Sequence, residues 1–277
     1  MRFVPCKVFH YPVLAVTLFF LFPICGICSQ SPPETDSLNF YGKTMLSREP
    51  YFKRKMASER FQYLLEKSLR REGSFYYSWD SLKTVAVLAP SDGKFRMFNW
   101  EMNNEDGLPQ YYARVQMADG TLIALNDISG SQSRSERQIL EKGKWWGAHY
   151  YKIVRKEYRK KVHYLLLGAN FSDPARRKKV IDILVISKQG EMKFGQPLLE
   201  NDKGTVNRVI FEYRPDVSMS LRFDESKDRV IFDHLSAPDP SLTGQTQYYA
   251  PDLSYDAYYW KKGRWRLREN IDARNKK

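Results

Sequence analysis

"YYWKKGRWRLR", residues 258–268, holds two extended segments and the turn that reverses them. Trp265 and Leu267 alternate with Arg264, Arg266 and Arg268, so one face of the last segment is apolar and the other cationic. A period of two marks a half-buried β-strand. The "KKGR" (261–264) between the segments carries the glycine that tight hairpin turns demand. The same grammar recurs upstream. In "SMSLRFD" (218–224), Met219, Leu221 and Phe223 alternate with Ser218, Ser220, Arg222 and Asp224, and "SDGK" (91–94), "ADGT" (118–121) and "KQGE" (188–191) are further turn signals.

One segment breaks the alternation. "VIDILVIS" (180–187) is almost continuously apolar, which predicts a strand covered on both faces. Aromatic residues reach 14% of the chain, with 18 Tyr, and suit a pleated surface. Together these features predict about a dozen strands in an antiparallel meander. The expected fold is mainly β: a curled sheet, barrel or sandwich with an N-terminal helix packed on it. An irregular β-propeller is the alternative. The turn glycines at Gly93, Gly120, Gly143, Gly190 and Gly263 follow no fixed period, which argues against a regular repeat.

The predicted helix covers about residues 50–72. Pro50 suits its first turn, and Phe52, Met56, Phe61, Leu64, Leu65 and Leu69 form an apolar stripe. Arg70 and Arg71 favour the negative end of the dipole, and Gly73 ends it. A second short helix is predicted over "SRSERQILEKG" (133–143), with Ser133 and Glu136 as a capping box. Residues 30–46, with Pro32, Pro33 and scattered polar side chains, read as a linker. Residues 47–277 read as one β-rich domain.

Residues 1–29 differ from the rest. Arg2 and Lys7 precede the apolar run "YPVLAVTLFFLFPICGIC", the layout of a secretory signal peptide, and two prolines make it a poor membrane span. Export to the periplasm or the exterior follows, with lipid anchoring through Cys25 or Cys28 as the alternative. Cys6, Cys25 and Cys28 are the only cysteines, so the mature chain would hold no disulfide and no thiolate metal site. The whole chain has 45 Lys and Arg against 32 Asp and Glu. Losing Arg2 and Lys7 leaves 43 against 32, a net +11. Inside a cell that charge suggests nucleic acid; outside it, the expected partners are an anionic envelope polymer, a glycan or a protein. No transmembrane span is expected in the mature chain, and no intracellular nucleic acid as a partner.

Aromatic doublets inside predicted strands include Tyr111-Tyr112, Trp145-Trp146, Tyr150-Tyr151, Tyr248-Tyr249 and Tyr258-Tyr259. Strand neighbours point to opposite faces, so each doublet sends one ring outward or into a second layer. Cross-strand pairing is the plainer reading and an exposed stacking platform the functional one. The candidate ligand surface is Tyr249, Tyr259, Trp260, Arg264, Arg266 and Arg268. An alternative acid cluster comprises Asp233, His234, Asp239, Asp252 and Asp256, although aspartates beside Pro and Ser more often close Asx turns. Basic runs crowd residues 152–161 and 176–179. His149 and His163 flank a predicted hairpin and could face one another, yet lack a third metal ligand. No HExxH, Gly-x-Ser-x-Gly or phosphate-loop motif occurs, and no catalytic residue, metal or other cofactor is expected.

"SDGKFRMFNW" (91–100), "YLLLGANFSDPARRKKVIDIL" (164–184), "RVIFEY" (208–213) and "GQTQYYAPDLSYDAYYWKKGRW" (244–265) occur in that order, and the chain closes near "IDARN". This series resembles a family of uncharacterised proteins secreted by Bacteroidota. The resemblance implies export and a shared β-rich fold, and carries no activity. The chain departs from the family pattern at "GANFSD", where an aromatic-acidic-glycine loop is usual. The expected function is non-catalytic binding or scaffolding at the cell envelope. A carboxylate-dependent hydrolase acting on envelope polymers is the alternative.

Overall fold

A computed structural model describes residues 31–131, 136–201 and 204–273. The signal segment 1–29 and the Ser133 cap lie outside the described residues. Two helices, α1 (Thr35–Met45) and α2 (Tyr51–Leu69), precede the strands. A first sheet contains β1 (Ala86–Leu88), β2 (Phe95–Asn103), β3 (Pro109–Met117), β4 (Leu122–Asp127) and β5 (Lys144–Trp145). A second follows with β6 (His149–Tyr158), β7 (Lys161–Asp173), β8 (Arg176–Ile186) and β9 (Met192–Phe194). The chain then makes β10 (Leu199–Asn201) and β11 (Gly204–Val206), returns to the second sheet as β12 (Arg208–Tyr213), and ends in β13 (Leu221–Asp224), β14 (Arg229–Ser236), β15 (Ala250–Lys261) and β16 (Arg264–Arg268). The third sheet has the order β11-β10-β16-β15-β14-β13.

Pairing is antiparallel throughout apart from β4 with β5 and β10 with β16. All four turn signals close hairpins, joining β1 to β2, β3 to β4, β8 to β9 and β15 to β16. Among the described residues no sheet closes into a barrel. The sheets stack in sandwich fashion, with the helices as an outer layer.

The core shows why. Phe95, Met97, Tyr150, Leu166, Val180 and Leu184 belong to one buried cluster between the first and second sheets. Leu165, Leu167, Ile181, Ile183, Tyr258 and Trp265 belong to another between the second and third. Neighbours along β7 and β8 therefore point into different cores, and Val180, Ile181, Ile183 and Leu184 are all apolar for that reason. A third cluster joins α1 and α2 to the far side of the first sheet through Phe98, Trp100 and Met102. Stacking also accommodates the aromatic doublets. Tyr111 enters the first inter-sheet core while Tyr112 turns to the helical layer and stacks on Trp100 at 5.7 Å. Tyr150 and Tyr151 divide between the two inter-sheet cores.

Three expectations are corrected. Residues 35–45 form α1 within the region read as a linker, because Leu38 and Met45 bury completely against α2 and the first sheet. The described residues 136–143 are not helical; the backbone of Leu140 instead bridges to Phe194. The buried face of α2 carries Ala57, Phe61, Leu64, Leu65 and Leu69, whereas Phe52 and Met56 are 60% and 66% exposed. Met56 is one residue, about 100°, round the helix from Ala57. Apolar character alone does not say which side of the helix meets the sheet.

At the centre of the second sheet, Asp182 and Arg208 are fully buried and form a bidentate pair, Nε to Oδ2 at 2.9 Å and Nη2 to Oδ1 at 3.2 Å. The backbone N–H of Ile183 also donates to Asp182 at 2.8 Å. Removing Asp182 takes away the carboxylate that balances the buried Arg208 charge. Asp182→Ala is expected to destabilise the fold by about 3–5 kcal/mol in urea unfolding, as buried pairs do when one partner is lost. A loss below about 1 kcal/mol would show that water reaches this pair.

Candidate functional site

Register assigns the faces of the third sheet. Tyr258 lies opposite Leu267, and Trp260 opposite Trp265, with Tyr258 and Trp265 in the inner core. Tyr259, Lys261, Arg264, Arg266 and Arg268 therefore face outward together. Arg229, directly across from Tyr259 on β14, joins them. Its guanidinium donates to the Tyr259 hydroxyl at 2.9 Å and pairs with Asp224 at 3.1 Å. On the other side, the Arg268 guanidinium lies 4.8 Å from the Tyr259 ring centroid. One ring is thus clasped by two arginines, a cation–π arrangement that fixes the platform. Burial depresses the Arg229 guanidinium but its bonds to Tyr259 and Asp224 outweigh this and raise it, so it stays charged.

A second group of cations adjoins this face. The β6–β7 turn is Arg159-Lys160 with φ of 49° and 63°, and the β15–β16 turn is Lys262-Gly263 with φ of 50° and 81°. Both are two-residue turns with positive φ at each central position, the geometry that matches strand twist. Arg159 and Lys160 adopt it without glycine, a conformation costly for L side chains. The two tips meet: a Cβ on Gly263 would lie 2.4 Å from Cδ1 of Tyr158. Arg159, Lys160, Lys161, Lys261, Lys262 and Arg264 are all exposed there, and none forms an ion pair among the described residues. The nearby acids Glu225 and Asp228 are taken by Lys152 and Lys156. Arg266 is held by Glu200 at 3.4 Å.

The other basic run, 176–179, lies at the opposite end of the second sheet. There Asp173 and Glu212 pair with Arg176 and Lys178, Arg177 covers Phe171, and Lys179 covers Tyr151 at 5.1 Å. Burial lowers the Lys179 ammonium.

Of the six expected ligand residues, Tyr259, Arg264, Arg266 and Arg268 share the outer face. Trp260 does not. It points inward and packs on Trp265 at 5.3 Å and on His163 at 6.2 Å. Tyr249 stands before β15, about 30 Å of extended chain from Tyr259, where its hydroxyl accepts from Gly244 N–H at 2.9 Å. Sequence reading missed Arg229, which sits two strands away from the arginine stripe it completes.

The acid cluster also divides. Asp233 accepts the Ser220 N–H at 2.7 Å and Asp239 caps the short turn Pro240–Leu242 through Ser241 N–H at 2.8 Å. These are backbone-capping aspartates. His234, Asp252 and Asp256 do converge. The register shifts between Asp233 and Leu235, a bulge that turns His234 out of the ladder. Its Nδ1 lies 2.7 Å from Oδ2 of buried Asp256, whose other oxygen accepts Asn270 N–H at 3.0 Å. Its Nε2 is 4.0 Å from Asp252. Asp252 is itself held in an Asx turn by the Ser254 N–H at 3.0 Å and hydroxyl at 2.7 Å. Burial pushes Asp252 up, yet the Ser254 bonds and His234 hold it below its ordinary value. Asp256, first by hydrogen bond and then by charge, raises His234. The two aspartates thus orient the His234 imidazole from both of its ring nitrogens.

His149 and His163 do not face each other, since His149 pairs with Ala169 and His163 with Lys156. Among the described residues no group of three or more His, Cys, Asp or Glu is placed to hold a metal ion. The protein is thus a mainly β stack with one arginine-clasped tyrosine face. Compared with known proteins, the chain matches no family model and no curated protein.

The two histidines provide a test. Burial and nearby Lys161 lower His163, whereas Asp256 raises His234. NMR titration is expected to show His234 protonating at the higher pH of the two, and Asp256→Asn to lower its midpoint while leaving His163 in place. Because the folded value is raised, the His234 contribution to stability is full below the unfolded value near ~6.5 and disappears as pH rises through the folded one. A His234 midpoint unmoved by Asp256→Asn would contradict the pairing.

Proposed function

We propose that the mature chain is exported and binds an anionic polymer of the cell envelope, without catalysis, through the outer face of the third sheet. In this reading it belongs with the secreted Bacteroidota proteins its segments resemble, in the periplasm or outside the cell, released or lipid-anchored. The observation that carries the reading is the Tyr259 ring clasped by Arg229 and Arg268, beside exposed cations on two touching hairpin tips. Edge-strand protection accounts for lysine and arginine on a rim. It does not account for an oriented aromatic ring at their centre, nor for cations left without acids when neighbouring lysines have them. The ring holds the guanidiniums of Arg229 and Arg268 in place, and carboxylate or sulfate groups of a polymer suit the arginines so oriented. Among the described residues no helix is long and apolar enough to cross a membrane.

A second reading, hydrolysis of the same class of polymer, rests on the Asp256–His234–Asp252 convergence. The binding reading is preferred because the imidazole is engaged at one nitrogen and flanked by a carboxylate at the other.

Binding of the mature chain to immobilised dextran sulfate, polygalacturonate and uncharged dextran, at low and high salt, tests the proposal. Both anionic polymers are expected to bind and uncharged dextran not. Arg264→Ala with Arg268→Ala is expected to weaken binding at least ~10-fold at low salt, and high salt to suppress it. Equal retention on uncharged dextran, or affinity indifferent to the two arginines, would overturn the proposal. Release of reducing ends, abolished by Asp256→Asn, would favour hydrolysis instead.

A further inference from the structure

The helical layer carries a second surface, remote in the fold from the arginine face. α1 and α2 bury one side against the first sheet and leave a groove of about 630 Å³ on the other. Phe40, Met56 and Tyr63 line it and are 63%, 66% and 58% exposed. Phe52, one turn before Met56 on the same side of α2, is 60% exposed, and Leu46, just after α1, is 50% exposed. Ten large hydrophobic residues are exposed among the described residues, and five of them fall between residues 40 and 63. Concentration of that kind marks an interaction surface, whereas scattered exposed side chains need no explanation.

Lys53, Glu59 and Arg60 are the charged residues that line the groove, and the two-helix segment that forms it is net cationic. Between residues 40 and 63 the cations are Lys43, Arg48, Lys53, Arg54, Lys55 and Arg60, and the acids Glu49 and Glu59, a net +4 from six minus two. Lys53 pairs with Glu49, and Arg54 donates to the Asn103 carbonyl at 2.9 Å. Lys43, Arg48, Lys55 and Arg60 form no ion pair among the described residues. Arg60 lies over the Tyr63 ring at 5.2 Å, stem along the apolar surface and charge at its margin.

We propose that this groove is a docking surface for an anionic lipid bilayer. Phe40, Phe52 and Met56 would enter the boundary between headgroups and acyl chains, and the four unpaired cations would meet lipid phosphates. Two observations favour a bilayer over other occupants. A twofold contact with a second copy would set the same net-cationic helical segment against itself, which is repulsive. In the lipid-anchored alternative, an acyl chain on Cys25 or Cys28 would place α1, which begins at Thr35, within about ten residues of a bilayer.

The test is flotation of the mature chain with vesicles of phosphatidylglycerol and phosphatidylethanolamine, against vesicles of phosphatidylcholine alone. Binding is expected on the anionic vesicles and at least ~10-fold weaker on the neutral ones. Phe52→Ser with Met56→Ser removes apolar surface without altering charge, and is expected to reduce anionic binding at least ~10-fold. Arg264→Ala with Arg268→Ala should leave it nearly intact, which separates this surface from the polymer-binding face. Phe52→Trp is expected to shift its emission to the blue and be quenched by brominated acyl chains. Far-ultraviolet circular dichroism checks that the exposed substitutions leave the fold alone. Vesicle binding untouched by Phe52→Ser with Met56→Ser, or a dimer in light scattering that those substitutions dissolve, would overturn the proposal.

Discussion

The second sheet must be covered on both faces. β7 and β8 alternate between two cores, so Leu166, Val180 and Leu184 need the first sheet while Leu165, Ile181 and Ile183 need the third. Everything else in the stack answers that requirement. The first sheet, packed inward through Phe95 and Met97, presents Phe98 and Trp100 on its far side and so needs the helices. The third sheet packs inward through Tyr258 and Trp265 and carries Arg264, Arg266 and Arg268 on its outer side. At the centre, where a continuous apolar strand admits one carboxylate, Arg208 satisfies Asp182 in both geometry and charge.

That layering determines where function can reside. Hairpin tips from the second and third sheets come together at one end, where Gly263 leaves room for the Tyr158 ring. Their cations add to the field of the outer face around Tyr259. The bulge in β14 turns His234 toward Asp256 at another place on the third sheet, and the helical layer offers an apolar groove. Each surface follows from a local departure: turns with positive φ, a shift of register, and a helix with more apolar residues than one face can bury.

Much of the fold was legible because periodicity is a one-dimensional signal. The alternation at 264–268 gave the strand and its faces, the glycine pairs gave four hairpins, and the unbroken run at 180–187 gave a strand with two covers. Residues 35–45 resemble a linker in sequence because prolines and polar side chains stand just upstream, while the two apolar side chains that bury, Leu38 and Met45, are too few to show a stripe. Phe52 and Met56 were misjudged because composition cannot say which apolar residues of a helix face the sheet. The site was less legible still. Arg264, Arg266 and Arg268 share a face by parity alone, but Arg229 reaches Tyr259 only through strand pairing. Trp260 has the parity of the core, so its aromatic character misled. The convergence of His234 with Asp252 and Asp256, and the divergence of Asp233 and Asp239, depend on a bulge that no sequence pattern announces.

The account stands on the two-sided burial of β8, and adjacent substitutions there test it most directly. Ile183 and Leu184 point into different cores. Urea unfolding of Ile183→Ala and of Leu184→Ala should show each variant losing about 2–5 kcal/mol, as fully buried aliphatic side chains do. If either substitution costs less than about 1 kcal/mol, one face of this strand meets water and the stacked arrangement is wrong.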